Sequence, residues 1–313
     1  MNYFDLHCDT AFCMYHKKQP LLQNNLAVSL EGYSIYDKKA QVFAIWSDNE
    51  RTPADAFGDF FEIFENLRAE IEKNYEKSVL CTDLSTIKSD DTRLKIIPAV
   101  EGLGIIEHDL ARLELLREYG VRIVTLAWQG EDSICGGYDT NTGLSDFGFR
   151  VVEECEKLGI IVDVSHLSEK GFWDVAKVAK KPFIASHSNS LTMCNHPRNL
   201  SDTQLRTIVR AGGIAGVNLV GKHLSKTFEN MRIVSQRTVC EVLIKHILNF
   251  MEKGNANSVC VGLDLDGTDA LSGLETVDKV IKIAEYMEKQ GTQSTFINDI
   301  FYNNAYNFFV KNF

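Results

Sequence analysis

Near the start of the chain, "FDLHCDT" (4–10) sets two metal-type ligands, His7 and Asp9, two positions apart. On a strand, positions i and i+2 share a face. The pair could seat an ion, or it could form a buried ion pair. Similar residues close other apolar stretches. Glu101 follows "IIPAV", His166 follows "IIVDVS", His187 follows "PFIAS", and Asp264 and Asp266 lie within "VGLDLDG". Taken singly, such a histidine is a hydrogen-bonded structural residue and such a carboxylate a helix cap. Gathered at one place and unpaired, they would be expensive to bury. A metal centre resolves that cost, because cations pair with carboxylates and neutral imidazoles. The set exceeds the needs of one tetrahedral ion and suits a two-metal site with a bridging carboxylate. Zinc is the first choice for this donor mixture, with manganese or cobalt as alternatives.

Whether they gather depends on the elements that carry them. Eight short apolar runs recur, at 3–9, 40–47, 94–102, 122–128, 160–166, 182–187, 213–219 and 259–266. Between them lie segments of helical periodicity at 54–77, 109–120, 144–159, 167–181, 200–213, 235–253 and 274–290, with a last one near 295–311. Three of these place a serine just before the periodic stretch, a start signal for a helix. Strands alternating with helices predict a parallel sheet. Eight units in 313 residues predict a single (β/α)8 (TIM) barrel domain, 1–313. The doubly wound open sheet is the competitor, but no G-x-G-x-x-G follows the first run. In a barrel of this class the active site lies at the C-terminal ends of the strands. Those ends are where the candidate ligands fall.

Composition narrows the rest. A net charge of −10 argues against nucleic acid as a partner. No run of 18 or more apolar residues predicts a membrane span, and "MNYFDLHCDT" lacks the pattern of a signal peptide. Eight cysteines without a C-x-x-C pair read as small buried hydrophobes in a reducing, cytoplasmic compartment. The mixed-charge "KSDDTRLK" (88–95) reads as a solvated loop. Of the remaining histidines, His16 and His108 lie away from the strand ends, and His246 is expected on a helix surface. His196 and His223 fall in loops on the active-site side. Asp5 is expected to share the His7 face one layer deeper, either orienting a ligand or standing as a structural carboxylate.

In order and spacing, "DLHCDT", "PAVEG", "GLSDFGFRVVEECEKLGIIVDVSH", "ASHSNS" followed by "HPRNLSD", "GGIAGVNL" and "VGLDLDG" resemble the membrane dipeptidase (renal dipeptidase) family of zinc metallopeptidases, M19, a branch of the amidohydrolase-like barrels. The resemblance implies that His7 and Asp9 bind one zinc, that His166 and His187 bind the other, and that Glu101 bridges them. It implies Asp264 as the acid/base carboxylate and Arg198, in "HPRN", as the clamp on the substrate's terminal carboxylate, a task suited to a bidentate guanidinium. One departure stands out. Mammalian members carry a carbonyl-polarising histidine where this chain has Trp128, which offers one N–H donor and cannot become cationic.

The expected reaction is hydrolysis of a dipeptide amide, with varied side chains and D-residues tolerated at the C-terminal position. A hydroxide bridging two zinc ions attacks the carbonyl, and Asp264 takes the water's proton and passes it to the leaving amine. Homodimers are implied by the resemblance alone. Two rivals remain: another binuclear amidohydrolase acting on an N-acyl amino acid or cyclic amide, and a non-catalytic metal- or peptide-binding barrel.

Overall fold

Strands covered on both faces must be apolar almost throughout, and the first run is buried from Tyr3 to Cys8. The computed structural model of the chain describes residues 1–46, 51–228, 234–269, 271 and 273–313. Its strands are β1 (Tyr3–Cys8), β2 (Lys39–Trp46), β3 (Ser78–Leu80), β4 (Leu94–Glu101), β5 (Ile123–Thr125), β6 (Ile161–Asp163), β7 (Ala215–Val217) and β8 (Val259–Val261). Ser47, at the end of the second predicted run, lies outside the described residues.

All pairings between these strands are parallel, in the order β6-β5-β4-β2-β1-β8-β7. The segment 182–187 closes the ring. Ile184 bridges to Asp163 at the end of β6, and Ala185 bridges to Ala215 at the start of β7. Eight staves therefore complete the predicted (β/α)8 barrel. The short β3 was not expected. It pairs with β4 over Leu94–Ile96, below the stretch Ala99–Glu101 that β5 takes.

Alternation along the staves builds two apolar layers. Phe4, Leu6, Val42, Ile97, Ile123, Ile161, Ile184 and Cys260 fill the barrel interior, which Tyr302, Phe308 and Phe309 of the C-terminal helical segment plug from below. The intervening residues, among them Tyr3, Phe43, Val100, Val124 and Val162, pack outward against the helices. Helices follow at Pro53–Lys73, Leu110–Glu118, Asp146–Leu158, Glu169–Val178, Asp202–Arg210, Gln236–Lys253 and Ile281–Lys289. The three serine signals are real caps. Ser145 accepts from Gly148 N–H and Ser168 from Gly171 N–H, both at 2.9 Å, and Ser201 completes a capping box with Gln204. An unpredicted helix, Thr10–Lys17, begins directly after Asp9. Among the described residues no helix is long and apolar enough to cross a membrane.

Two expectations need correction here. Lys95, read as part of a solvated loop, belongs to β4 and is buried, its ammonium donating to Ser89 O at 2.6 Å. His246 is wholly buried rather than on a helix surface. Its Nδ1 accepts from Ser190 N–H and its Nε2 meets Leu224 O, both at 3.0 Å, so it ties together the loops above stave 182–187 and β7. Helical periodicity alone could not show that both ring nitrogens would be met by loop backbone.

Candidate metal centre

The pairing of β1 with β2 slips between Asp5 and Cys8: Asp5 stands opposite Gln41, and Cys8 opposite Phe43. This bulge adds one residue to β1 and changes its facing. Phe4 and Leu6 look into the barrel, and beyond the slip His7 does so as well. Asp5 is left on the outer side, where Tyr3 Oη donates to it at 2.6 Å and Gln41 Nε2 at 3.3 Å. Asp5 therefore does not share the His7 face. It accepts the backbone N–H of His7 at 2.9 Å and that of Leu263 at 3.2 Å, joining the ends of β1 and β8.

At the mouth the predicted residues converge. His7 Nε2 lies 3.6 Å from Glu101 Oε2, 3.7 Å from Asp9 Oδ2 and 3.8 Å from Asp264 Oδ1. On the other side of Glu101, its Oε1 lies 2.8 Å from His166 Nε2 and 3.4 Å from His187 Nε2. The two histidine Nε2 atoms are 2.8 Å apart. Asp266 is turned away from this cluster. It accepts from Thr10 Oγ1 at 2.6 Å and Ala27 N–H at 2.8 Å, anchoring the loop above β8 to the helix after β1.

Backbone strain and close approach mark the same spot. His166 and Asp264 adopt φ of 69° and 63°, in the left-handed region that side chains usually avoid. Gly267 passes so near Asp9 and Asp264 that a Cβ there would overlap both carboxylates.

The electrostatics suit a cation. His7 Nε2, Asp9 Oδ1, Glu101 Oε1 and His166 Nδ1 are buried without a hydrogen-bond partner. Three carboxylates and three imidazoles crowd a space from which water is largely excluded, and native interiors seldom leave such groups unmet. Against the lowering effect of burial, Glu101 and Asp9 hold His7 well above its ordinary value. Burial, with Arg198 adding to it, pushes His166 down to about 4. Burial and then His7 hold His187 well below its ordinary value. Both rings are therefore neutral near pH 7, the form that ligates a metal. Burial drives Asp264 up to about 7; His7 opposes the rise and Asp9 and Glu101 add to it. Burial also works against the charge of Glu101, yet His7 and His166 hold its carboxyl well below the usual range.

Beside the cluster is a cavity of about 150 Å³ whose walls include Trp128, Tyr138, Arg198, His223 and Asp264. Arg198 is 4% exposed. It donates from Nη1 to Ser188 Oγ at 2.9 Å and from Nη2 to His187 O at 3.2 Å, while Nε has no partner. Among the described residues no carboxylate pairs with it. Trp128 stands edge-on to Trp46, with ring centres 4.9 Å apart, and 6.4 Å from the ring of His166. The sequence assigns Tyr138 no role and sets His223 in a loop on the active-site side. Tyr138 comes from a long loop with no periodicity to read, and His223 from the segment just beyond β7. His16 and His108 are exposed and stand apart from the site.

Known proteins are similar to this chain in sequence and fold. A protein in the pqqA 5′ region of Klebsiella pneumoniae is 26% identical over 262 residues, spanning 80% of this chain and 95% of the relative. A Schizosaccharomyces pombe protein described as a dipeptidase is 31% identical over 240 residues, 73% of this chain but only 56% of the yeast protein's length. The crystal structure of a metallo peptidase from Rhodobacter sphaeroides superposes with a TM-score of 0.92 at 22% identity, covering 100% of this chain and 99% of that one. The sequence pattern of the membrane dipeptidases matches residues 1–311, and the chain belongs to that family, peptidase family M19.

Proposed function

We propose that residues 1–313 form one catalytic unit, a binuclear zinc dipeptidase. The observation that carries this reading is the position of Glu101, with Oε2 toward His7 and Oε1 toward His166 and His187. In this reading His7 and Asp9 would hold one zinc, His166 and His187 would hold the other, and Glu101, between the two groups, would serve both. Manganese or cobalt would suit the same donors. His7 Nε2, Asp9 Oδ1 and Glu101 Oε1, buried without hydrogen-bond partners, support a fit to cations. When bound, the ions supply Lewis-acid polarisation of the scissile carbonyl and a water acidified toward neutrality.

The chain's own residues do the rest. Asp264, whose Oδ1 lies 3.8 Å from His7 Nε2 at the same mouth, accepts the water's proton and returns it to the leaving amine. Arg198 offers a buried, unmet guanidinium edge to the terminal carboxylate of the substrate. Trp128 closes the wall beside His166 as a neutral surface, and a cavity of about 150 Å³ favours short substrates. The Rhodobacter sphaeroides structure carries a phosphinate mimic of the dipeptide L-Ala-D-Ala. That supports including D-residues at the C-terminal position. All eight cysteines are buried and none forms a disulfide, which supports a reducing, cytoplasmic setting.

The test is hydrolysis of a dipeptide panel, with L- or D-residues second, by metal-free protein before and after zinc is added. Zinc-restored cleavage that disappears in His166→Ala is the expected result. Two bound ions per chain without cleavage would move the substrate to another amide, and failure to bind metal would remove the reading altogether.

A further inference from the structure

Beneath the mouth, the barrel interior carries a polar layer formed by Thr125, Asp163 and Ser186, all at most 3% exposed. Asp163 is engaged at both oxygens. Oδ1 accepts the backbone N–H groups of Ser165 and Ser186, each at 2.9 Å. Oδ2 accepts the hydroxyl of Thr125 at 2.8 Å and, in a closer contact, that of Ser186. Ser186 Oγ also lies 2.7 Å from Nδ1 of His187.

A serine hydroxyl has one proton to give. Asp163 has four donors arrayed on it and acts purely as an acceptor, so the Ser186 proton points to Asp163. The other acceptors within reach are neutral and farther: Ser165 Oγ at 3.4 Å and His187 Nδ1 at 2.7 Å. With its proton committed, the Ser186 oxygen can only accept from His187, and the ring proton must sit on Nδ1. The opposite nitrogen then turns its lone pair toward Glu101 and His166, accepting from His166 Nε2 at 2.8 Å. His166 has no such support, since its Nδ1 is buried without a partner.

We propose that Ser186 is a positioning residue that relays the charge of Asp163 to His187, fixing the tautomer and ring orientation in which Nε2 is offered as a ligand. The proposal rests on the reading of His187 as a metal ligand. A ligand oriented in advance leaves less to be ordered when the ion binds, and such supporting partners are typically worth 10–100-fold in metal affinity. Asp163 does this from inside the barrel wall, with backbone from two staves holding it in place.

The first experiment needs no variant of Ser186. Metal-free, 15N-histidine-labelled protein, with His187 assigned by its loss in His187→Gln, should show a protonated Nδ1 and an unprotonated Nε2. A proton found on Nε2 overturns the relay. The second is zinc titration with dialysis and metal analysis. Ser186→Ala should lose the single tautomer and weaken one of two zinc sites by roughly 10–100-fold, and Ser186→Thr should restore both. Unchanged tautomer and affinity in Ser186→Ala would also sink the proposal. Should Ser186→Ala not fold, the wild-type spectrum still decides. Wild-type protein that binds no zinc removes the metal reading, while the spectrum judges the relay separately.

Discussion

Asp5 and His7 stand two residues apart on one strand yet face opposite sides of the barrel wall. The slip in the β1–β2 register between Asp5 and Cys8 separates them. One carboxylate goes to the outer layer, where it holds the backbone of His7 and Leu263, while the imidazole enters the mouth.

Asp5→Ala is expected to lower stability by roughly 3 kcal/mol, because two backbone N–H groups and the Tyr3 hydroxyl lose a charged acceptor in a buried setting. Asp5→Asn should lose less, since its amide oxygen still accepts. Urea unfolding of the two variants measures the difference. Equal, negligible losses would show that the bulge is held by something else.

The raised Asp264 has a signed consequence for the metal-free protein. Its folded value of about 7 exceeds that of an unfolded carboxylate. Its contribution to stability is therefore complete at low pH and is lost as pH rises from about 4 through about 7. His166 and His187, depressed by burial, act in the opposite direction on acidification. The difference between wild type and Asp264→Asn isolates the one group. Relative to the variant, metal-free wild type should lose stability across that window, as read from urea midpoints at several pH values. A flat difference would place the proton elsewhere.

Metal binding should draw on the same proton. Zinc uptake is expected to tighten as pH rises toward 7 and to release protons, measurable by calorimetry in buffers of different ionisation enthalpy. Glu101→Ala should lose both ions, since its two oxygens face the two histidine groups. Retention of both ions in that variant would rule out the bridging role.

Arg198→Ala should raise KM for free dipeptides by about 100-fold or more, from loss of a buried charged hydrogen bond. Dipeptide amides, which lack the terminal carboxylate, should be poor substrates of wild type and nearly indifferent to the substitution. If amides and acids respond alike, Arg198 holds the site together rather than reading the substrate.

Gly267→Ala places a methyl group against Asp9 and Asp264. A displacement of about 1 Å at reacting groups can cost about 100-fold in rate. Activity should fall on that scale while the circular dichroism spectrum is unchanged. Full activity would mean that the loop gives way.

His7, Asp9, Glu101, His166, His187 and Asp264 could all be picked out from the linear chain, because each ends a short apolar run and a parallel barrel puts all such ends at one mouth. The serine caps were equally readable, since capping depends on neighbours along the chain. The facing of Asp5, the burial of His246 and the turning away of Asp266 were not. Each is decided by partners far along the chain or on another stave: Gln41 and Leu263 for Asp5, Ser190 and Leu224 for His246, Ala27 and Thr10 for Asp266. Periodicity reports which way a side chain would point if its strand or helix were ideal. A one-residue bulge reverses that facing, and a buried polar group settles wherever the folded backbone offers it hydrogen bonds.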